Sequence, residues 1–363
     1  MNATLLTNIA SRTFSNRLRS AQLSLAHNYF LCTQLRRHGS SVTNLSSGLA
    51  YKHQTIRTPS WRSGLFTAYR SSGIFKLRNS KAPEGPLITC AAQNALSTWG
   101  YGQENGPRSW ADEFPEASGL KQSPIDIVTS ESVFDQKLAG GNQFSFKYVP
   151  SACHSLANPG NTWRISADES VKSVLKVGFL KDEFILSQVH AHWGSDPNSG
   201  SEHTIDGMSY ASEIHIVHYN SKYGSFIDAM KHSDGVLVLG IFVNEVETNN
   251  DALDTFVPFL ENIRFKGETI ELKNGFDNES IIPNSHDFWT YEGSLTTPPC
   301  TECVIWVVFR EPIDVSTEQL NQMRNLYIDR AKAKGDQSPE RMTCNFRPPQ
   351  PLNGRIVRCS FQT

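Results

Sequence analysis

The 363-residue sequence has no run of eighteen or more apolar residues, so it offers no candidate for a membrane-spanning helix. It has no visible internal repeat. It also lacks the paired C-x-x-C motifs of a structural zinc site. The seven cysteines (Cys32, Cys90, Cys153, Cys300, Cys303, Cys344 and Cys359) are odd in number, and only Cys300 and Cys303 stand at that spacing. One such pair is not a zinc site, and if residues 300–306 form a strand the two side chains point to opposite faces. The cysteines therefore read as small buried hydrophobes in a reducing compartment. Helical periodicity is scarce, with 252–265 and 317–333 the best segments; the second opens on Ser316, Thr317 and Glu318 as cap candidates.

Acidic residues are nearly missing from the N-terminal quarter. Residues 1–90 carry three Lys and nine Arg against the single acid Glu84, a balance of +11, and the remaining 22 basic and 35 acidic residues give −13. No periodicity of 3.6 or 2 is sustained up to about residue 92, and Ser, Arg, Thr and Asn dominate there, so residues 1–92 read as a mostly unstructured leader and 93–363 as one domain. A basic, Ser-rich, acid-poor leader has the composition of an organelle transit peptide, which makes the mitochondrion the expected location and the cytoplasm the alternative. A nucleic-acid-binding tail would share the charge, but the arginines are dispersed rather than clustered. A secretory signal fits poorly, because no basic region precedes the broken apolar stretch at residues 1–10.

Beyond residue 99 the pattern changes to strand-length apolar or alternating runs between turn residues: 143–148, 162–166, 173–179, 183–192, 212–220, 235–246, 269–272 and 303–309. These runs predict a large sheet. Within one of them, His190 and His192 are two apart and share a strand face, so both imidazoles can aim at one point. Residues 213–219 alternate too, placing Glu213, His215 and Val217 on one face and His218 on the other. If the two strands are neighbours, about 4.8 Å apart, His215 completes a three-histidine site. Three neutral nitrogens leave a fourth tetrahedral position for water, the arrangement of a catalytic zinc. Gln188 shares a face with His190, and Glu213 with His215. Each can accept the second ring N–H of its histidine and fix the tautomer.

The spans WGYG at 99–102, QSPIDI at 122–127, HAHWG at 190–194, GSEHT at 200–204, EIHIVH at 213–218, YEGSLTTPP at 291–299 and NFRPPQP at 345–351 resemble those of the α-carbonic anhydrases, in the family's order. The resemblance covers residues 99–361 and implies a β-dominated α+β fold. Its single domain would stand on a large, twisted, mostly antiparallel sheet of about ten strands with a few peripheral helices. It implies Zn2+ on His190, His192 and His215, with Gln188, Glu213 and the backbone carbonyl of Asn345 holding the three rings. It also implies reversible hydration of carbon dioxide to bicarbonate by zinc-bound hydroxide, for which carbonic anhydrase is the standard example of the chemistry. Thr296 matches the threonine that accepts from that hydroxide and donates to a buried glutamate, here Glu202. Val217, Val238, Leu295, Val304 and Trp306 match the apolar wall for an uncharged substrate, and Tyr101 and Thr297 match residues that order water in the cleft.

Departures from the family pattern are as informative. The position of the proton-shuttle histidine in the fast members is Asn161, and a carboxamide cannot take up a proton near neutrality. Two neighbouring polar positions are Pro159 and Arg164. Cys300 matches one half of a disulfide of the secreted members, but the other position is Ala117, so that bridge cannot form in the family manner. The resemblance implies carbon dioxide, water and bicarbonate as reactants, sulfonamides and small anions as inhibitors, no nucleic-acid partner, and a monomer. The alternative is an acatalytic carbonic anhydrase-related interaction module, against which all three histidines, Thr296 and Glu202 are retained.

Overall fold

A computed structural model describes residues 99–140, 143–330 and 338–362; the leader with its boundary at residue 92, Cys32 and Cys90 lie outside the described residues. Fifteen strands are formed among the described residues: β1 (Asp126–Ile127), β2 (Val133–Phe134), β3 (Phe144–Lys147), β4 (Ser155–Ala157), β5 (Arg164–Ser166), β6 (Val174–Val177), β7 (Glu183–Trp193), β8 (Thr204–Ile205), β9 (Ser212–Asn220), β10 (Val236–Val246), β11 (Thr269–Glu271), β12 (Phe288–Gly293), β13 (Val304–Phe309), β14 (Ile313–Ser316) and β15 (Arg358–Cys359). Thirteen join one sheet. Ten of them run in the order β11-β4-β5-β7-β9-β10-β13-β12-β15-β2, with β14 beside β10 and the β3–β6 pair attached to β7. The β10–β13, β10–β14 and β15–β2 pairs are parallel and the other pairs in this sheet antiparallel. The fold is therefore mostly strand, on a large mixed sheet whose pairs are mostly antiparallel, as expected.

The central strands are apolar on both faces because both are covered. One core packs Leu156, Trp163, Val189, Ala191, Ile214, Ile216, Leu239 and Ile241 with Phe256 and Phe276; the opposite face packs Val217, Val238, Val304 and Trp306 with Tyr291 and Trp289. Strand β7 changes face midway. Phe184 and Leu186 point into the first core, yet beyond Ser187 it is Val189, Ala191 and Trp193 that do so. A register shift between Leu186 and Gln188 against β9 produces the switch. An extra residue in one strand re-aims everything beyond it, and here it turns Gln188, His190 and His192 onto the other face.

Two helix expectations need correction. Residues 252–265 form two 3-10 segments, Leu253–Thr255 and Val257–Ile263, with Pro258 at the start of the second. Proline there lacks the N–H that an α-helical turn needs. Buried Val257, Leu260 and Ile263 recur every third residue, the 3-10 period. The second helix, α3 after the one-turn helices α1 (Trp110–Glu113) and α2 (Phe226–Ala229), covers only Thr317–Arg324 of the expected 317–333. Its capping box pairs Ser316 with Gln319 rather than with Glu318, and Asn325 closes it. Beyond it the chain is captured by other segments, Tyr327 N–H donating to Arg264 O and Met342 N–H to Leu326 O. Cys300 is likewise not in a strand: it follows a turn at φ 63° and is buried, as are Cys153, Cys303 and Cys359, whereas Cys344 is exposed.

Candidate metal centre

Two adjacent strands, β7 and β9, supply the three histidines. Arg164 on β5 pairs with His190 on β7, which pairs with His215 on β9, which pairs with Gly240 on β10. Because His190 and His192 alternate onto the face that carries His215, the three rings converge, with centroids 4.7–5.1 Å apart.

Hydrogen bonds fix the outer nitrogen of each ring. His190 Nδ1–H donates to Gln188 Oε1 at 3.0 Å, His192 Nδ1–H to the Asn345 carbonyl at 2.8 Å, and His215 Nε2–H to Glu213 Oε1 at 2.8 Å. The inner nitrogens, Nε2 of His190 and His192 and Nδ1 of His215, are then unprotonated. His190 Nε2 and His192 Nε2 lie only 3.1 Å apart. Since both outer nitrogens carry the protons, this contact sets lone pair against lone pair, not donor against acceptor. Two nitrogens bound tetrahedrally at about 2.05 Å would stand about 3.3 Å apart, so the donor set fits zinc. Burial holds all three imidazoles neutral: His190 falls well below the ordinary range, His192 falls to about 3, and His215 is lowered although Glu213 pulls it the other way. Neutral imidazole is the form that ligates a metal.

Glu213 is anchored more deeply than alternation alone suggests. Its Oε1 also accepts from His203 Nδ1 at 2.7 Å, and its Oε2 accepts from the backbone N–H of Glu202 and of His203 at 3.0 and 2.8 Å. Burial opposes its charge, but His203 and His215 outweigh that, and its pKa stays well below the usual carboxylate value. His203 Nε2 accepts from the Tyr291 hydroxyl at 2.6 Å, and Tyr291 meets Ser123 Oγ at 2.9 Å. His203, Tyr291 and Ser123 were inside the spans that carried the resemblance but were not singled out. A carboxylate buried under a sheet needs more donors than one histidine supplies, and that requirement was the available signal. His203, Glu213 and His215 also form a second cluster of metal-capable atoms, but their mutual hydrogen bonds already occupy them.

Glu202 is fully buried. Its Oε1 accepts from Arg347 N–H at 2.9 Å and lies 3.3 Å from His192 Nδ1, a contact that is not an ion pair because His192 is neutral. Burial pushes the Glu202 carboxyl well up, with Thr296 and the Arg347 N–H pulling against it. Thr296 therefore stands beside this carboxyl, yet no hydrogen bond of ordinary geometry reaches Oε2.

The remaining expected residues divide between two walls. Val217, Val238 and Trp306 stand side by side across β9, β10 and β13, with Val304 one step along and Leu295 packed at the edge. The Trp306 ring meets His215 edge-on at 4.9 Å. The opposite wall is polar: a cavity of about 200 Å³ is lined by His190, Gln188, Asn161, Thr297, Arg164 and Lys266 among others. Tyr101 lines the adjoining cavity, which shares Trp99, Gly160 and Lys266 with this one, and its buried hydroxyl makes no hydrogen bond among the described residues.

Comparison with known proteins decides the family: residues 105–361 match the model of the eukaryotic-type carbonic anhydrases. The chain belongs to that family. It is 40% identical over 265 residues to carbonic anhydrase 3 of Bos taurus, an alignment spanning 73% of this chain and 98% of the relative. Carbonic anhydrase 3 of Sus scrofa matches at 40% and that of Homo sapiens at 39% over the same shares. As a carbonic anhydrase the chain is a lyase, with carbon dioxide and water on one side of its reaction and bicarbonate on the other; the interaction-module alternative is not favoured. Eukaryotic-type carbonic anhydrases are zinc enzymes, and the histidine cluster is the group that suits the ion here. Among the described residues no helix is long and apolar enough to cross a membrane.

Proposed function

We propose that this carbonic anhydrase works through zinc held by His190, His192 and His215, and that export of the proton limits its turnover because Asn161 stands where a shuttle histidine would. The observation that supports the first half is the 3.1 Å approach of two ring nitrogens whose opposite ring nitrogens already face acceptors, a spacing that one shared cation satisfies. When bound, zinc supplies a Lewis acid that lowers the pKa of its water to about 7.

The protein's own groups do the rest. Gln188, Glu213 and the Asn345 carbonyl hold the rings in the tautomers that face the ion. A Thr296 hydroxyl turned to donate to Glu202 would have only an acceptor left to offer, so a nucleophile's O–H would be spent on Thr296 and a lone pair left facing the apolar wall. Val217, Val238, Leu295, Val304 and Trp306 suit carbon dioxide there, since an uncharged molecule loses little by leaving water. The proton must then cross the polar wall past Thr297 and Asn161.

Zinc analysis and a hydratase assay on purified His215→Ala test the reading. Severe loss of zinc and of hydration is expected; full activity in that variant would sink it. Gln188→Ala should cost about 10- to 100-fold in affinity or activity. We also propose a monomer, inhibited by sulfonamides and small anions, and a mitochondrial destination for which the +11 leader is the support.

A further inference from the structure

Thr296 and Glu202 come together from distant parts of the chain, and each has its own support. Thr296 lies in the loop 294–303, which closes on itself: Leu295 N–H donates to Thr301 O and Cys300 N–H to Thr297 O, both at 3.0 Å. Glu202 Oε1 accepts from the Arg347 backbone N–H at 2.9 Å.

The buried side chain of Gln122 spans the two supports. Its Nε2 donates to Cys300 O at 3.1 Å and to Glu302 Oε1 at 3.0 Å, both on the loop, while its Oε1 accepts from Arg347 Nη1 at 2.9 Å. Chemistry fixes which way the amide points, because two acceptors face one end and a guanidinium, which only donates, faces the other. Gly119 leaves room for the contact: a Cβ added there would run into the Glu302 carboxylate and come within 3.1 Å of Gln122 Nε2. Ser123 makes a parallel tie at the base of the loop, its carbonyl accepting from Arg347 Nη1 at 2.8 Å and its N–H donating to Ser294 Oγ at 2.9 Å. The base is thus tied through the Ser123 backbone, whereas the far limb, at Cys300 and Glu302, is tied by the Gln122 side chain.

We propose that Gln122 is a positioning residue for the hydration step: it clamps the far limb of the Thr296 loop to Arg347 and so sets the approach of Thr296 to Glu202, without touching the substrate. Reacting groups keep a productive geometry where packing and hydrogen bonds lock their supports, and a misplacement of about 1 Å that arises away from the chemistry costs about 100-fold in rate. The inference rests on the reading of Thr296 and Glu202 given above.

The test is stopped-flow hydration of carbon dioxide by the zinc-loaded full chain, read as kcat/KM in the wild-type and in the Thr296→Ala background. Gln122→Glu keeps the bond from Arg347 but sets a carboxylate against Cys300 O and the Glu302 carboxylate, which releases the far limb. In the wild-type background kcat/KM should fall about tenfold, less than a full ångström of misplacement would cost, with zinc released to a chelator at the wild-type rate. Thr296→Ala alone should lower kcat/KM about 100-fold. In that background Gln122→Glu should cost less than about twofold more, because a residue that acts through Thr296 has nothing left to place. A general loosening of the fold would instead cost the same factor in both backgrounds. Glu302→Ala, at the partly buried outer end of the clamp, should act in the same direction by about threefold, with the same dependence on Thr296, and decides the matter if Gln122→Glu does not fold. Wild-type kcat/KM in the clamp variant, or an equal loss in both backgrounds, would overturn the role of Gln122 and leave the reading of Thr296 and Glu202 standing. Wild-type kcat/KM in Thr296→Ala would overturn that reading and this inference with it.

Discussion

Glu213 Oε1 receives His203 Nδ1 at 2.7 Å while the same oxygen receives His215 Nε2 at 2.8 Å, so one carboxylate oxygen couples a metal-facing ring to a histidine that faces away from the cleft. Both histidines donate, and Glu213 stays charged because of them. The orientation of His215 is then set two residues deep into the protein. Replacing His203 with Ala removes one of four donors from a fully buried carboxylate, a change that costs about 1 to 3 kcal/mol where nothing replaces the bond. His203→Ala should release zinc to a chromogenic chelator about 10- to 100-fold faster than wild type. Tyr291→Phe, which deprives His203 of its own donor, should act in the same direction and less. Zinc release at the wild-type rate in both variants would show that Glu213 needs no help.

Gly240 lies opposite His215 on β10, and a Cβ built there would sit 3.1 Å from Glu213 Oε1. The neighbour that would have to yield is pinned by four hydrogen bonds. Gly240→Ala should therefore destabilise the fold by about 1 to 3 kcal/mol, the usual cost of overpacking a tight interior, read as a lower urea midpoint, and should weaken zinc retention with it. An alanine variant as stable as wild type would mean that the strand can shift.

A buried histidine outside the cleft contributes to the acid limit. His218 sits on the far face of β9, its Nε2 accepting from the Tyr148 hydroxyl at 2.7 Å and its Nδ1 3.3 Å from the Leu237 carbonyl. Burial drives its pKa down to about 3, against the pull of the Leu237 and Ile216 carbonyls. The unfolded chain binds a proton there below about pH 6.5, whereas the folded chain does not until about pH 3. In that window the unfolded state carries one more proton, so stability falls as the pH falls, by about 1.4 kcal/mol per pH unit for this one group. Above the window the group contributes no slope. Urea midpoints between pH 7 and 4 should drop less steeply in His218→Gln than in wild type, even though the variant starts lower. Equal slopes would refute the assignment.

Much of this was legible in the sequence, and the exceptions have physical causes. Strand β9 begins and ends where its alternation does, at residues 212 and 220. The pairing of Gln188 with His190 follows from a period of two. The bulge at Ser187 does not, because an extra residue leaves both flanking segments with intact alternation and only the packing reveals that the faces have exchanged. Strand β12 was missed: with Phe288, Trp289, Thr290 and Tyr291 all buried, it shows no alternation for a period of two to detect. Pro258 carried a legible signal against the helix at 252–265, which the apolar spacing overrode. The pairing of Glu213 with His203 is tertiary, made between a loop and a strand, and local periodicity carries no trace of it.

The leader can be tested without the enzyme. Residues 1 to about 90, fused to a fluorescent reporter, should enter mitochondria, and exchanging Arg12, Arg17, Arg19, Arg36 and Arg37 for Gln should block import, since import signals of this kind depend on their positive charge. A reporter that stays diffuse or is secreted would contradict the proposed destination.

Proton export is the step at which we propose that this chain differs from family members with a shuttle histidine. Hydration releases one proton per carbon dioxide, and that proton must reach bulk solvent before the next cycle. An acid or base works best when its pKa lies near the operating pH. Imidazole meets that condition; the carboxamide of Asn161, which lines the polar wall beside His190 and Thr297, does not. Turnover should therefore be moderate and should rise with added imidazole buffer, while kcat/KM, which reports the steps before proton release, stays nearly constant. Asn161→His should raise kcat at low buffer and abolish most of the response to imidazole without altering zinc affinity. Its backbone carbonyl, which accepts from Asn345 Nδ2 at 2.9 Å, is kept in that exchange, so the support of the histidine site is undisturbed. If the wild-type enzyme already turns over fast in weak buffer and ignores imidazole, another group carries the proton and the role assigned to residue 161 is wrong.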